Sequence, residues 1–138
     1  MASFSQHHPL PEGAASDPWV TRWFDDWGNR ANDLGVAWDA AGELRGACWA
    51  REVQPVRLVD PSGRQVPELL IAVRADWRGR GVARTLLEDL LAAARREGWT
   101  AVALTVSAKN EGAARLYRAV GFVEHEKPDG LLVMSFTL

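Results

Sequence analysis

Residues 69–91 read Leu-Leu-Ile-Ala-Val-Arg-Ala-Asp-Trp-Arg-Gly-Arg-Gly-Val-Ala-Arg-Thr-Leu-Leu-Glu-Asp-Leu-Leu. The first five residues are a continuous apolar run, which predicts a short strand that is buried on both faces. From Val82 onward, apolar residues recur at steps of three and four, with charged residues mostly between them, and this spacing predicts an amphipathic helix. The segment is therefore a buried strand, a tight glycine-rich turn and a helix.

The turn itself has the composition of an anion site. Gly79 and Gly81 bracket Arg80, and Arg78 and Arg84 stand on either side. The first turn of a helix presents unpaired N–H groups and the positive end of the helix dipole, and glycine lets the backbone approach a phosphate closely. A pyrophosphate is one anion that would fit this turn. The alternative is an ordinary strand-to-helix turn with solvated arginines.

Two segments of the chain resemble one known family. Residues 78–83, Arg-Gly-Arg-Gly-Val-Ala, are similar to the Arg/Gln-x-x-Gly-x-Gly/Ala signature of the GNAT superfamily of acetyl-CoA-dependent N-acetyltransferases. Residues 110–122 resemble a second pattern of the same family, Asn-x-x-Ala-x-x-Leu-Tyr-x-x-x-Gly-Phe, along its whole length. The resemblance spans roughly residues 68–122. Ala75 departs from it, since many members carry proline there.

The resemblance implies an α/β GNAT fold. Its central sheet is mixed and mostly antiparallel, contains two splayed parallel strands and is flanked by helices. Acetyl-CoA would bind as co-substrate in the gap between the strands that end at Val73 and Val106. The residues that the resemblance assigns to acetyl-CoA are Ile71, Ala72 and Val73 for the pantetheine arm, Arg78, Gly79, Arg80, Gly81, Val82, Ala83 and Arg84 for the pyrophosphate, and Asn110 and Ala113 on the following helix.

The resemblance also implies two catalytic residues. Tyr117 shares a helix face with Asn110 and Ala113 because the three lie three and four residues apart, and it would donate a proton to the departing coenzyme A thiolate. Glu68 stands near the position where some relatives carry a general base. The alternative interpretation, to which we give equal weight, is a solvated residue at the start of the strand. A water chain without a dedicated base is a third arrangement. Thr105 occupies the position where other relatives carry a carboxylate.

Composition bounds the remaining possibilities. The chain has 138 residues, of which 47% are hydrophobic and 25% charged, and this is typical of a globular domain. A formal net charge of -2 gives no electrostatic reason to expect nucleic acid or an anionic membrane as partner. Cys48 is the single cysteine, so neither an internal disulfide nor a cysteine-based metal site is expected. Because the sequence shows neither a signal segment nor a long apolar run, we expect a cytoplasmic protein. We also expect no bound metal.

The rest of the sequence completes the expected architecture. Residues 1–16 lack periodicity and predict a flexible tail, and residues 17–138 predict a single domain. Asp17-Pro18 predicts a helix start, and the aromatic residues that follow are more typical of core than of a site. Because the early helices of the GNAT fold border the acceptor site, the resemblance implies that one or two of these aromatics, or Asp25 and Asp26, could face the acceptor amine. Hairpins are predicted over residues 35–49, 53–67 and 122–138, a strand over 101–106 and a helix over 111–120.

The sequence thus predicts an N-acetyltransferase that moves the acetyl group of acetyl-CoA to a primary amine of a small molecule or peptide, by direct attack and without a covalent enzyme intermediate. One alternative is a non-catalytic module with the same fold that binds acyl-CoA. Another is a transferase of a longer acyl group. Relatives are often dimers, so a homodimer is among the arrangements that the resemblance implies.

Overall fold

The computed structural model describes residues 2–4, 32–40, 43–125 and 130–138. Its strands are β1 Ala2–Phe4, β2 Leu34–Ala40, β3 Glu43–Arg51, β4 Glu68–Val73, β5 Ala101–Ser107, β6 Val123–His125 and β7 Leu131–Thr137. Its helices are α1 Val82–Arg96 and α2 Glu111–Val120, and a short 3-10 turn, Ala75–Trp77, joins β4 to α1. The predicted helix after Asp17 and the turn over 127–129 lie outside the described residues.

The strands form one seven-stranded sheet in the order β1-β2-β3-β4-β5-β7-β6. All neighbouring strands are antiparallel except β4 and β5, which are parallel. Parallel neighbours need a crossover connection, and α1 supplies it. The predicted mixed, mostly antiparallel sheet with one parallel pair is therefore confirmed.

The parallel strands pair at one register position only. Glu68 stands opposite Ala103, and the Ala103 N–H donates to the Pro67 carbonyl at 2.9 Å. Beyond this point β4 loses its neighbour, so Ala72 is exposed and Val73 is half-buried. The prediction that this strand is buried on both faces is wrong for its second half, because β5 diverges and leaves a gap there.

Helix α1 packs closely on one face of the sheet. Its leucines Leu86, Leu87 and Leu90 are fully buried in the main hydrophobic core. They meet a row of small residues on β3, in which Gly46 is the tightest position. A Cβ built at Gly46 would lie 3.0 Å from both the Ala72 carbonyl oxygen and Leu86 Cδ1. Glycine at this position thus allows the helix to approach the strands that carry the gap.

Two segments differ in detail from the sequence predictions. Ala2–Phe4, inside the predicted tail, forms a strand against β2, and an edge strand of three residues is too short to show periodicity. The hairpin predicted over 53–67 is reduced to one bridge, Val59 to Gln65, around the predicted turn at 60–63. The hairpin of β2 and β3 is confirmed. In the described parts of the chain, no helix is both long and apolar enough to cross a membrane.

Candidate active site

A pocket of about 820 Å³ opens where β4 and β5 part. It is walled by the end of β4, the glycine turn, the start of α1 and the first turns of α2. It brings together most of the residues that we predicted for acetyl-CoA, namely Ile71, Ala72, Val73, Arg78, Gly79, Gly81, Val82, Ala83, Arg84, Asn110 and Ala113, together with Tyr117. Trp77, Gly112 and Leu116 also line it, and none of the three was among the residues predicted to bind acetyl-CoA. Arg80 and Glu68 are not part of the lining.

The glycine turn exposes bare backbone to the pocket. Gly79 and Gly81 have φ values of 74° and 77°, a left-handed conformation that only glycine adopts without strain. A Cβ built at either residue would meet no atom within 4 Å, so open space lies over both. Gly81 precedes α1 without any side-chain capping bond, and the first turn of α1 carries no acidic residue. The turn therefore offers free space and unpaired N–H groups to an anion.

The N-terminus of α2 is arranged differently. The Asn110 side chain caps its own helix, because its Oδ1 accepts a bond of 3.2 Å from the Ala113 N–H. Glu111 places a negative charge in the first turn. A bound anion would compete with both groups. Asn110 therefore lines the pocket as a cap that fixes α2, and of the two helix N-termini that of α1 is the better candidate for an anion.

The arginines of the turn point in different directions. Arg78 lines the pocket and its Nε donates to the Val73 carbonyl at 3.3 Å, while Arg84 lines the pocket and pairs with Glu88 at 3.0 Å. The Arg80 guanidinium instead lies over the Trp77 ring, 4.8 Å from its centroid. Arg80 thus stacks on a residue that lines the pocket without belonging to the lining itself.

The pattern of strand pairing decides which backbone groups of β4 face the gap. The Arg74 N–H donates to the Arg45 carbonyl on the β3 side at 2.8 Å. Hydrogen-bonding directions alternate along an antiparallel strand, so Ala72 also faces β3, where it is opposite Ala47. Ile71 and Val73 then direct their N–H and C=O groups toward the gap. Of the three residues predicted for the pantetheine arm, Ile71 and Val73 therefore have backbone groups that face the gap.

Tyr117 lies at the other wall of the pocket, on α2. Its ring packs on Phe122, with centroids 5.9 Å apart. Burial, together with the nearby Cys48 thiol, raises the pKa of Tyr117 to about 12. The phenol is therefore protonated at neutral pH and able to donate. Cys48 is itself fully buried, and that burial raises the pKa of its thiol, so it is a core residue and not a nucleophile.

Glu68 is buried, with 1% of its surface exposed, so its interpretation as a solvated strand-entry residue is wrong. The Thr105 hydroxyl donates to Glu68 Oε1 at 3.1 Å. Glu68 also stands directly opposite Arg51, whose side chain forms a two-point ion pair with Asp33 at 2.8 Å. A strand rises roughly 3.3 Å per residue, so the main chain of Glu68 lies about 10 Å from that of Ile71.

Sequence reasoning missed Asp33, Arg51 and Trp77. Arg51 carries one usable signal, a charged residue that ends the apolar strand sequence Ala47-Cys48-Trp49-Ala50. Its partner Asp33 is 18 residues away, and no local pattern connects the two. Among the described residues, no group of three or more His, Cys, Asp or Glu side chains is arranged to hold a metal ion.

Comparison with known proteins identifies the family. The model of the acetyltransferase (GNAT) family matches residues 3–122. Together with the splayed parallel strands and the glycine turn, this match shows that the chain belongs to the GNAT acetyltransferase family.

The relatives differ in name and length. The chain is 32% identical over 117 residues to mycothiol acetyltransferase of Propionibacterium freudenreichii. The matched region covers 84% of this chain and 35% of that protein. It is 31% identical to L-methionine sulfoximine/L-methionine sulfone acetyltransferase of Pseudomonas aeruginosa. That match covers 72% of this chain and 56% of that protein. The solved ribosomal-protein-alanine N-acetyltransferase of Brucella melitensis is 25% identical with a TM-score of 0.69, covering 84% of this chain and 75% of that one.

Proposed function

We propose that this chain transfers the acetyl group of acetyl-CoA to a primary amine of a small molecule or a peptide, by direct attack and without a covalent enzyme intermediate. The observation that carries the proposal is the pocket between β4 and β5. It combines an uncapped helix N-terminus at a bare glycine turn with a protonated phenol on the opposite wall. The first supplies a pyrophosphate site and the second a proton donor.

Acetyl-CoA would be held along the gap. The backbone groups of Ile71 and Val73 face it and would pair with the amides of the pantetheine arm. An N–H group at the same edge would polarise the thioester carbonyl. Gly79, Gly81 and the first N–H groups of α1 would bind the pyrophosphate, with Arg78 and Arg84 beside them.

Tyr117 would protonate the sulfur atom that leaves when the C–S bond of the thioester breaks. A free thiol has a pKa near 8.5, whereas that of Tyr117 is about 12, so the transfer is uphill when judged in water. The desolvation that raises the pKa of the phenol acts equally on a thiolate beside it, because burial disfavours every anion. Burial therefore raises the pKa of the leaving thiol together with that of the Tyr117 phenol, and the difference between the two is smaller than a comparison with a thiol in water suggests.

The acceptor amine must lose a proton before or during its attack. We propose that Glu68 accepts this proton through water, because its carboxyl lies on the strand that bounds the gap but outside the pocket. The names of the relatives span a small molecule, an amino-acid derivative and a ribosomal protein. For that reason the acceptor is proposed as a class only. The chain spans 35% of the length of the first of these proteins.

A second candidate is an acyl-CoA-binding module without catalysis. One observation favours it, since none of the described residues that line the pocket is Asp, Glu or His. In that case the fold would bind acyl-CoA and leave the amine without a base.

Turnover distinguishes the two candidates. We would measure coenzyme A release with a thiol reagent across amines, amino acids, polyamines and peptides, using acetyl-CoA and longer acyl-CoA thioesters. Cys48 is the only cysteine and is buried, so the protein itself contributes little background. Turnover with an acetylated product supports the transferase. A thermal shift with acetyl-CoA but no turnover in any combination supports the module, and the absence of both overturns the pocket assignment.

A further inference from the structure

Thr105 is bonded to Glu68 across the two parallel strands, close to the point where their backbones part. Its hydroxyl donates to Glu68 Oε1 at 3.1 Å. The backbone register of β4 and β5 pairs Glu68 with Ala103, so the side-chain bond joins the strands two residues farther along β5. The bond therefore lies on the side of this pair where the gap opens, and the proposed reaction assigns the hydroxyl no part.

The Glu68 side chain extends toward the gap to make this bond. In the register set at Glu68, Thr105 is level with Leu70. A strand rises roughly 3.3 Å per residue, so along the strand direction Thr105 lies about 3 Å from the level of Ile71, and the main chain of Glu68 about 10 Å from it. Thr105 is thus the nearer of the two to the backbone groups that would face the thioester.

Exposure increases along this face of β4 from Glu68 toward the gap. Side chains alternate along a strand, and Leu69 packs in the core with the leucines of α1, so the even-numbered residues of β4 face the other way. Glu68 is 1% exposed, Leu70 is half-buried and Ala72 is exposed. Thr105, bonded to Glu68 on the same face, is half-buried as well. A proton that arrives from the open end of this face therefore reaches Thr105 before it reaches Glu68.

A hydroxyl can pass a proton on because it is both a donor and an acceptor of hydrogen bonds. The Thr105 hydroxyl directs its own hydrogen to Glu68 Oε1, and its oxygen retains lone pairs that can accept from water. Its half-buried position allows water to reach that oxygen. Thr105 thus offers the donor and the acceptor that a relay between water and a buried carboxyl requires.

We propose that Thr105 relays the proton of the acceptor amine to Glu68. The N–H bond of the ammonium breaks, a water molecule takes that proton and passes another to Thr105 Oγ1, and the original Thr105 proton moves to Glu68 Oε1. The carboxylate gains one proton, the ammonium loses one, and the water and the hydroxyl are restored. This inference rests on the proposed acetyl transfer and on the role proposed there for Glu68.

Thr105→Val removes the hydroxyl and keeps a β-branched side chain of similar size. Single-turnover rates of acetyl transfer, measured at a pH where the amine is protonated, should fall at least about tenfold, since a positioned proton-transfer group contributes about 10²- to 10⁴-fold and water replaces part of it. Thr105→Ser keeps the hydroxyl and should retain most of the rate. Thr100→Val is the matched control and should keep the wild-type rate. Thr100 also donates to a carboxyl at 3.1 Å, that of Asp60, but at an exposed position outside the pocket lining.

Two further measurements separate a relay from a structural role. Glu68→Gln combined with Thr105→Val should be no slower than Glu68→Gln alone, because both changes act on one proton path, whereas independent effects would multiply. In the wild type, a plot of the single-turnover rate against the deuterium content of the solvent should be curved, since more than one proton moves in the step.

A wild-type rate in Thr105→Val overturns the relay, as does a loss that Thr105→Ser or Thr100→Val shares in full. Multiplied losses in the double variant or a linear plot against deuterium content overturn it too. The deuterium measurement uses the unaltered chain, so it decides if Thr105→Val does not fold. Absence of acetyl transfer by the wild type with every amine overturns the proposed function together with the relay, whereas an active wild type with an equally active Thr105→Val overturns the relay alone.

Discussion

Arg80 and Trp77 form a cation–π contact, with the guanidinium 4.8 Å from the centroid of the indole ring. Arg45 lies 4.5 Å from the same ring, so two cations share one aromatic side chain. Arg80 stands in the middle of the glycine turn but does not line the pocket, whereas Arg78 does. The two neighbouring arginines of the turn should therefore contribute unequally to acetyl-CoA binding.

Arg78→Ala should raise the KM for acetyl-CoA about tenfold or more, because Arg78 lines the pocket and a hydrogen bond to a charged group contributes about 1.5–3 kcal/mol. Arg80→Ala should change it by a small factor. Initial rates at varied acetyl-CoA measure both variants side by side. Equal effects would show that Arg80 leaves Trp77 when acetyl-CoA binds.

Gly81→Asp should abolish the thermal stabilisation by acetyl-CoA. The substitution introduces a side chain and a negative charge into the space over the turn, where a Cβ meets nothing within 4 Å in the free protein. In the wild type, acetyl-CoA at 100 times its Kd should add about 2.7 kcal/mol to the free energy of unfolding. Differential scanning fluorimetry with and without acetyl-CoA measures the difference.

Gly98→Asp is a matched control for the strain in that variant. Gly98 has a φ of 80° and equally open space around its Cβ direction, but it follows the far end of α1. Both variants should lose similar stability, while Gly98→Asp keeps the full shift with acetyl-CoA. A full shift in Gly81→Asp would remove the pyrophosphate from the turn.

Tyr117→Phe should lower turnover at least about tenfold, the lower part of the range for a general acid. The ring contact with Phe122 survives the change, so folding stability and acetyl-CoA affinity should change little. Steady-state rates and urea unfolding of the same preparation test both halves. Unchanged turnover would assign the proton to water, and a loss matched by equal destabilisation would make Tyr117 a core residue.

The ionisation of Tyr117 can be observed in isolation, because it is the only tyrosine of the chain. Tyrosinate absorbance of the native protein should rise with a midpoint near pH 12, compared with about 10 after unfolding. The folded state thus retains a proton that the unfolded state loses between these values. The linked contribution, about 3 kcal/mol, is present below about pH 10 and is lost as the pH approaches 12.

Urea unfolding at several pH values should therefore show stability falling across this alkaline window. The fall should be smaller in Tyr117→Phe, which lacks the titrating group. A native midpoint near 10 would place the hydroxyl in water and not in the pocket wall.

Glu68→Gln should lower turnover most at low pH, with the loss shrinking as the pH rises and the acceptor amine deprotonates unaided. Glutamine can still accept the Thr105 bond, so the shape of the site should be retained. Glu124→Gln, which alters an exposed carboxyl paired with Arg118, is the control. Equal pH profiles of Glu68→Gln and wild type would leave Glu68 without a catalytic role.

Local signals predicted the two described helices α1 and α2 well. Helix α2 begins at Glu111 and ends at Val120, as predicted, because its cap, its apolar spacing and Gly121 lie within one short segment. Gly121 is also required sterically, since a Cβ there would lie 3.0 Å from the Phe136 ring. The glycine turn could likewise be recognised, because its chemistry depends on consecutive residues.

The features that escaped prediction depend on residues far apart in the chain. Glu68 is buried, and its described neighbours are Thr105, 37 residues away, which bonds to it, and Arg51, which lies opposite. Its exposure could not be inferred from its position at a strand start. The half-exposure of β4 beyond Leu70 likewise depends on where β5 turns away, and this divergence leaves no trace in the apolar sequence of β4 itself.

The single register point between β4 and β5 has a mechanical consequence. Backbone pairing divides the sheet into two parts, one of four strands and one of three, which are linked beside Glu68 and Ala103. We expect the angle between these parts to set the width of the pocket, with their common edge as the hinge line. Ala103 lies on that line and is fully buried. A larger residue there would act as a wedge and change the opening at Ile71 and Val73 without touching a ligand.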